Sequence, residues 1–256
     1  MTMDNLVNLA SPWLLAIGIN VFLLGGALFL PKKLLTTAGF WNAGLLGVII
    51  WGGLGWRAYI VMVAYFIVGS GVTQIGIAEK EAAGIAEKRS GARGPENVWG
   101  SALVAALCSL IAYCISLTTL PSNWVGLLTL AYVASMATKL SDTCASEVGK
   151  AYGKTTYLIT TLRSVPKGTE GAVSLEGTIA GVAGSLLLAA IGYGLGLISL
   201  SGLGICAIAA VVATTIESLI GATVQEQFDW LTNELVNVIN TFVGAVCALL
   251  LGLFIL

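Results

Sequence analysis

Apolar runs long enough to cross a bilayer recur along almost the whole of this sequence. They lie near 11–30, 34–55, 57–77, 98–117, 121–138, 177–198, 201–222 and 236–256. A helix needs about 20 apolar residues to span the hydrocarbon, so the pattern predicts an all-α, polytopic integral membrane protein of about eight transmembrane helices. Charged residues make up 10% of the chain and hydrophobic ones 57%, whereas a soluble domain carries about a quarter charged residues. Residues 1–256 are therefore expected to form one transmembrane domain, without room for a separate soluble one. The opening MTMDNLVNLASPW has no basic residue and carries Asp4. A secretory leader starts positive, so the first span is expected to be retained.

The basic residues predict an orientation. All twelve lie between Lys32 and Lys167. With eight spans, Lys32, Lys33, the cluster from Lys80 to Arg93 and the group from Lys139 to Lys167 share one side, leaving only Arg57 opposite. The positive-inside rule assigns that side to the cytoplasm and both termini to the other. Three polar segments then face the cytoplasm: 78–97, 138–176 and 223–235.

Other chemistries are excluded by composition. The chain has no histidine, which removes Ser-His-Asp triads, Cys-His pairs and histidine-ligated metals. Cys108, Cys114, Cys144, Cys206 and Cys247 form no Cys-x-x-Cys pair, so neither a disulfide framework nor a zinc site is expected.

The segment 138–176 holds nine of the 25 charged side chains, mixed with glycines and hydroxyls as a polyanion site would be. If 144–154 is helical, Glu147, Lys150 and Lys154 share a face. Asp142 can then join Glu147 on one cation only if it lies off that helix. Magnesium takes one or two carboxylates plus substrate phosphates, so the pair is a candidate metal site on that condition. Gly149 to Thr155 falls one residue short of a Walker A loop and has no strand before it. Arg163 and Lys167 sit on a turn in which Gly168 and Gly171 allow close backbone approach to a ligand.

In 78–97, two Ala-Glu-Lys repeats read as a helix, and Lys88, Arg89 and Arg93 form a phosphate-gripping cluster, although a solvated charged helix has the same look. Glu217 stands at membrane depth, where an ionisable group marks a functional candidate. Asn233, Asn237 and Asn240 form one stripe where the last span opens, suited either to joining helices or to binding substrate. Gly177, Gly181 and Gly184 are expected to pack closely against a neighbouring helix.

An ordered series of motifs carries a resemblance. Ser141-Asp142-Thr143-Cys144-Ala145-Ser146-Glu147-Val148-Gly149 is followed by Gly153-Lys154, Ile159-Thr160-Thr161, Val165-Pro166-Lys167-Gly168-Thr169-Glu170-Gly171 and Leu231-Thr232-Asn233-Glu234-Leu235-Val236-Asn237. The series resembles the membrane family of the phytyl-phosphate kinases of plants and cyanobacteria, over most of the chain after residue 70. The same block is more loosely similar to phosphatidate cytidylyltransferases, with Gly168 interrupting their Lys-Thr-Glu-Gly run.

The resemblance implies transfer of the terminal phosphate of a nucleoside triphosphate, CTP or ATP, to phytyl phosphate for tocopherol and phylloquinone biosynthesis. It implies Asp142, Glu147 and Lys154 as catalytic groups, Asp142 and Glu147 holding Mg²⁺. Lys150, Arg163, Lys167 and Thr169 would bind the nucleotide phosphates, and Lys88, Arg89, Arg93 and Asn97 the lipid phosphate. Glu217, Asn233, Glu234 and Asn237 would support them. The expected partners are the bilayer and the isoprenyl phosphate, with a homodimer admissible and no nucleic acid. A plasma or thylakoid membrane is the expected location. The alternatives are a CTP-dependent cytidylyltransferase and a lipid transporter or scaffold without catalysis.

Overall fold

The computed structural model describes residues 3–27, 34–121 and 123–256, with the side chains of 3–11, 88, 90 and 226 outside that description. Lys32, Lys33 and the side chain of Lys88 therefore lie outside the described residues. The long helices are α1 (Met3–Ala27), α2 (Thr37–Thr73), α4 (Pro95–Ser116), α5 (Asn123–Tyr152), α6 (Leu175–Gly194), α7 (Leu200–Thr223) and α8 (Asn233–Ile255). A short α3 (Ile77–Ala82) and two two-residue strands, β1 (Tyr157–Leu158) and β2 (Ala172–Val173), lie in the connections. The protein is an all-α, multi-pass integral membrane protein.

At 37 residues, α2 would measure about 55 Å if straight, well beyond the roughly 30 Å of hydrocarbon. Gly55 prevents this. Its φ of 83° and ψ of −179° are open essentially to glycine alone. The carbonyl of Arg93 abuts Gly39 while its guanidinium abuts Gly69. Thirty helical residues would hold those glycines about 45 Å apart, so α2 is a hairpin of two antiparallel arms. The expected boundary between the second and third spans falls at this turn.

The apolar stretches picked out in the sequence fall on α1, the two arms of α2, α4, α5, α6, α7 and α8. Of these helices, α2, α4, α6, α7 and α8 are long and apolar enough to cross a membrane, while the apolar part of α1, Pro12–Gly26, is shorter. The central helix α5 is less apolar because Lys139, Asp142, Glu147 and Lys150 occupy its second half.

Leu127 to Ser141 of α5 is buried without interruption, which requires neighbours on every side. α2, α4, α6, α7 and α8 supply them. Small residues bring α6 in: a Cβ on Gly177 would lie 2.5 Å from the Ala145 carbonyl oxygen, and one on Gly184 2.8 Å from the Cys144 sulfur. The close packing expected of Gly177, Gly181 and Gly184 is what the bundle uses. Helix α5 also runs on to Tyr152, so the first part of the expected 138–176 loop is helical. In 78–97, only Ile77–Ala82 forms an α-helix. Gly84, at φ +70°, closes its C-terminal turn, and the second Ala-Glu-Lys repeat leads into a 3-10 turn at Lys88–Gly91.

Gly177→Val is expected to overpack the α5–α6 contact by about 1–3 kcal/mol. The melting temperature of the detergent-solubilised protein should fall. Gly204→Val, with nothing within 4 Å of its position, should leave it near the parent value.

Candidate functional site

The polar segments converge on one end of the bundle around a cavity of about 440 Å³. Its walls come from the C-terminal ends of α2, α5 and α7, the N-terminal ends of α4, α6 and α8, and the turn Gly168–Val173. Arg57, the one basic residue expected opposite, lies near Gly196 in the α6–α7 turn.

Asp142 and Glu147 both lie on α5, which continues through them without a break. Five residues apart, they point about 140° apart around the axis. The condition for a shared cation, Asp142 off the helix, is not met. Glu147 instead forms a buried ion pair with Lys80 of α3, and Lys80 Nζ also donates to the Thr73 carbonyl at 2.9 Å. The Lys80 and Glu147 side chains are 1% and 2% exposed. Lys150 approaches Glu147 at 3.9 Å. Sequence reasoning missed Lys80 because a lysine in an Ala-Glu-Lys repeat looks solvated.

Asp142 faces different neighbours. Lys139 Nζ donates to its Oδ2 at 2.5 Å and to Asn237 Oδ1 at 2.6 Å. The Asp142 and Glu217 carboxyls lie within hydrogen-bonding reach of each other. Asn240 Nδ2 donates to Glu217 Oε2 at 2.6 Å. Lys139, another residue not singled out by sequence, thus joins α5 to α8 beside the carboxyl pair. The Asn233–Asn237–Asn240 stripe has become three polar contacts, with Gln225, Lys139 and Glu217 respectively.

The basic cluster divides. Arg93 donates to the Tyr65 hydroxyl at 2.6 Å and lies over the Tyr65 and Phe66 rings. Arg89 pairs with Glu96 and donates to Asn97 Oδ1 at 2.9 Å. The same Asn97 oxygen accepts from the Gly94 backbone N–H at the start of α4. Arg89, Arg93 and Asn97 line the cavity, as do Asp142, Glu147, Lys150, Thr169, Glu217, Asn233, Glu234 and Asn237.

Lys154, Arg163 and Lys167 do not. All three are exposed and lie outside the cavity lining, which corrects their expected catalytic and phosphate-binding positions. The physical reason for Lys154 is that Gly149–Thr155 closes the C-terminus of α5. A phosphate cradle needs a helix N-terminus, and a C-terminus presents carbonyls and the negative end of the dipole. The helix starts that open on the cavity are those of α4, α6 and α8, and at α6 Ser174 caps the Gly177 N–H at 3.1 Å. Gly171, at φ +71°, makes its close approach to α7, where a Cβ would lie 2.5 Å from the Ser218 carbonyl oxygen.

The family profile described as "Integral membrane protein DUF92" matches residues 20–245. An uncharacterized membrane protein of Synechocystis sp. is 62% identical over 94% of this chain and 92% of its own. The chloroplastic protein VTE6 of Arabidopsis thaliana is 42% identical over 98% of this chain and 75% of its own. An uncharacterized membrane protein of Methanocaldococcus jannaschii is 32% identical over 88% and 89%. No solved structure matches. These likenesses agree with the family resemblance read from the Ser141–Gly171 motifs.

Removing Lys80 strands a buried carboxylate, and breaking such a pair costs about 3–5 kcal/mol. Lys80→Met should therefore lower the melting temperature steeply. The double variant Lys80→Met/Glu147→Leu should regain most of the loss, because apolar residues of similar volume replace a buried pair at little cost.

Proposed function

The chain belongs to the DUF92 family of integral membrane proteins, and from that premise we propose that it is an isoprenyl-phosphate kinase. It transfers the terminal phosphate of a nucleoside triphosphate to phytyl phosphate, giving phytyl diphosphate for tocopherol and phylloquinone biosynthesis. The observation that carries this reading is one polar cavity, sized for small ligands, opening at the end of an apolar bundle. Arg89, Arg93, Lys139 and Lys150 line it together with the α6 N-terminus. A headgroup can enter such a cavity while its tail stays in lipid. Extracting that tail into water would cost about 0.8 kcal/mol per CH₂.

The chemistry suits a chain without histidine. The nucleophile is an oxygen of the acceptor phosphate, already anionic at neutral pH, so no strong general base is required. That oxygen bonds to the terminal phosphorus as the bond from this phosphorus to its bridging oxygen breaks. The products are the isoprenyl diphosphate and a nucleoside diphosphate. Catalysis is then positioning and neutralisation of charge between two polyanions.

In this reading Arg93, held flat by the Tyr65 and Phe66 rings, grips the acceptor phosphate with Arg89. Lys150, Thr169 and the start of α6 take the nucleotide phosphates. A bound magnesium ion would supply neutralisation of phosphate charge. Asp142 would hold it from the cavity wall, a role Glu147 cannot fill while it is committed to Lys80. Among the described residues no group of three or more Asp, Glu, His or Cys is arranged for a metal, so the other positions around such an ion would fall to water and substrate oxygens. A plasma or thylakoid membrane, with the cavity facing the cytoplasm or stroma, is the proposed setting.

The test is purified protein in lipid nanodiscs with phytyl phosphate, Mg²⁺ and γ-labelled CTP or ATP. Label is expected in phytyl diphosphate. A CDP-lipid with released pyrophosphate would establish cytidylyl transfer instead, and no product of either kind would refute the kinase. Asp142→Asn should lower kcat by about 100-fold or more. Lys154→Ala, outside the cavity, should change it by no more than about twofold.

A further inference from the structure

The connection between α5 and α6 carries a leucine where the backbone favours other residues. Leu162 sits at φ +54° in a tight turn whose Thr161 and Leu162 N–H groups both donate to the Leu158 carbonyl. The left-handed region suits glycine or asparagine better than a branched apolar side chain. Yet the Leu162 side chain is 72% exposed, so burial within the chain does not explain its presence.

The rest of this hairpin has a matching character. Tyr157 faces Ser164 in an antiparallel bridge, flanked by bonds from the Val165 N–H to Thr156 at 3.0 Å and from the Leu158 N–H to Arg163 at 2.9 Å. That register sets Lys154 and Lys167 on opposite strands at the base, with Arg163 beside Leu162 at the tip. All three cations are exposed, and the sequence has no carboxylate between Glu147 and Glu170. Lys167 reaches only the neutral Ala151 carbonyl, at 3.5 Å. Tyr152 and Tyr157 are exposed among them. The surface is thus aromatic, apolar and cationic.

Helix α6 sets the height of this surface in the membrane. Val173 of β2 pairs with Tyr157, and only Ser174 separates β2 from α6. The 20 residues of α6 measure about 30 Å, the thickness of the hydrocarbon, so its first turn lies at an interface. Its exposed apolar face begins there with Leu175 and Ile179. The hairpin therefore starts at headgroup level, beside side chains that lipid covers. Aromatic residues with Lys and Arg around an apolar anchor hold a segment at such a level.

We infer that the 154–167 hairpin is a docking surface for anionic lipid headgroups of the leaflet on the cavity's side. Leu162 is its apolar anchor, and Lys154, Arg163 and Lys167 meet the lipid phosphates. Each Lys or Arg close to an anionic leaflet favours contact about fivefold, so the three together reach about 100-fold. The contact needs no nucleotide and does not rest on the kinase reading.

The experiment places a nitroxide, itself apolar, at Leu162→Cys in the full chain. Cys114→Ser and Cys247→Ser remove the cysteines that are not buried. The protein is placed in nanodiscs of phosphatidylcholine alone or mixed with phosphatidylglycerol. Collision of the nitroxide with oxygen, which concentrates in lipid, is compared with collision with a water-soluble nickel chelate. The oxygen-to-nickel ratio should rise severalfold in the mixed discs. Lys154→Gln/Arg163→Gln/Lys167→Gln should return it to the phosphatidylcholine value, as should about 1 M salt. A nitroxide at Ile179→Cys should stay oxygen-rich in every disc, which shows that the variants are folded and inserted.

A ratio equal in both kinds of disc, or one that survives the triple substitution, overturns the docking surface. Shielding from nickel that appears only on adding CTP assigns the cations to nucleotide and overturns it too. The readout needs no turnover, so a failed phosphorylation assay leaves the lipid contact standing, and a failed nitroxide result leaves the kinase standing.

Discussion

The structure depends on a helix that is buried all round and still carries charge. Leu127–Ser141 of α5 has no face left for lipid or water, and the helix continues through Asp142, Glu147 and Lys150 without leaving the bundle. Ionised groups in such surroundings are tolerated only when paired and hydrogen-bonded. Lys80 reaches Glu147 from α3, and Lys139 reaches Asp142 one turn away while tying α8 through Asn237. Each pair therefore fixes a neighbouring element as well as neutralising a charge. The position of α3 and of α8 against α5 follows from this need.

Glycine makes the burial feasible. With side chains at Gly177, Gly181 and Gly184, α6 would be pushed off α5, and the cavity between their ends would widen. On α8, Gly244 sits against Thr138 and Gly252 against Leu127 and Leu130, the same device on the other flank. Helix association within a membrane relies on close backbone approach because lipid tails are as apolar as leucine. The dense packing of the apolar half keeps the polar half in register.

Sequence periodicity shows some of this and hides the rest. The boundary between the second and third spans, expected between residues 55 and 57, falls where Gly55 makes the bend. The α6 glycines were legible at their three- and four-residue spacing. The convergence of the polar segments followed from the distribution of basic residues. The continuation of α5 to Tyr152 was obscured because polar composition reads as loop. Lys80 belongs with Glu147 across 67 positions of sequence, and local spacing carries no information about that pairing. Lys154, Arg163 and Lys167 looked like phosphate ligands by type, yet their exposure is set by where α5 ends. Glu217, picked out by its depth alone, gained its partner Asp142 only from the packing of α7 on α5.

Charges left without an ionic partner give the cavity its polarity. The Lys80–Glu147, Lys139–Asp142 and Arg89–Glu96 pairs are locally neutral. Arg93 is held by a phenol and two aromatic rings, contacts that orient a guanidinium without neutralising it. Glu217 is held by an amide. One wall thus presents a positioned cation and another the carboxyls of Asp142 and Glu217. For the proposed kinase, this arrangement would turn the acceptor phosphate toward Arg93 while its tail stays in lipid.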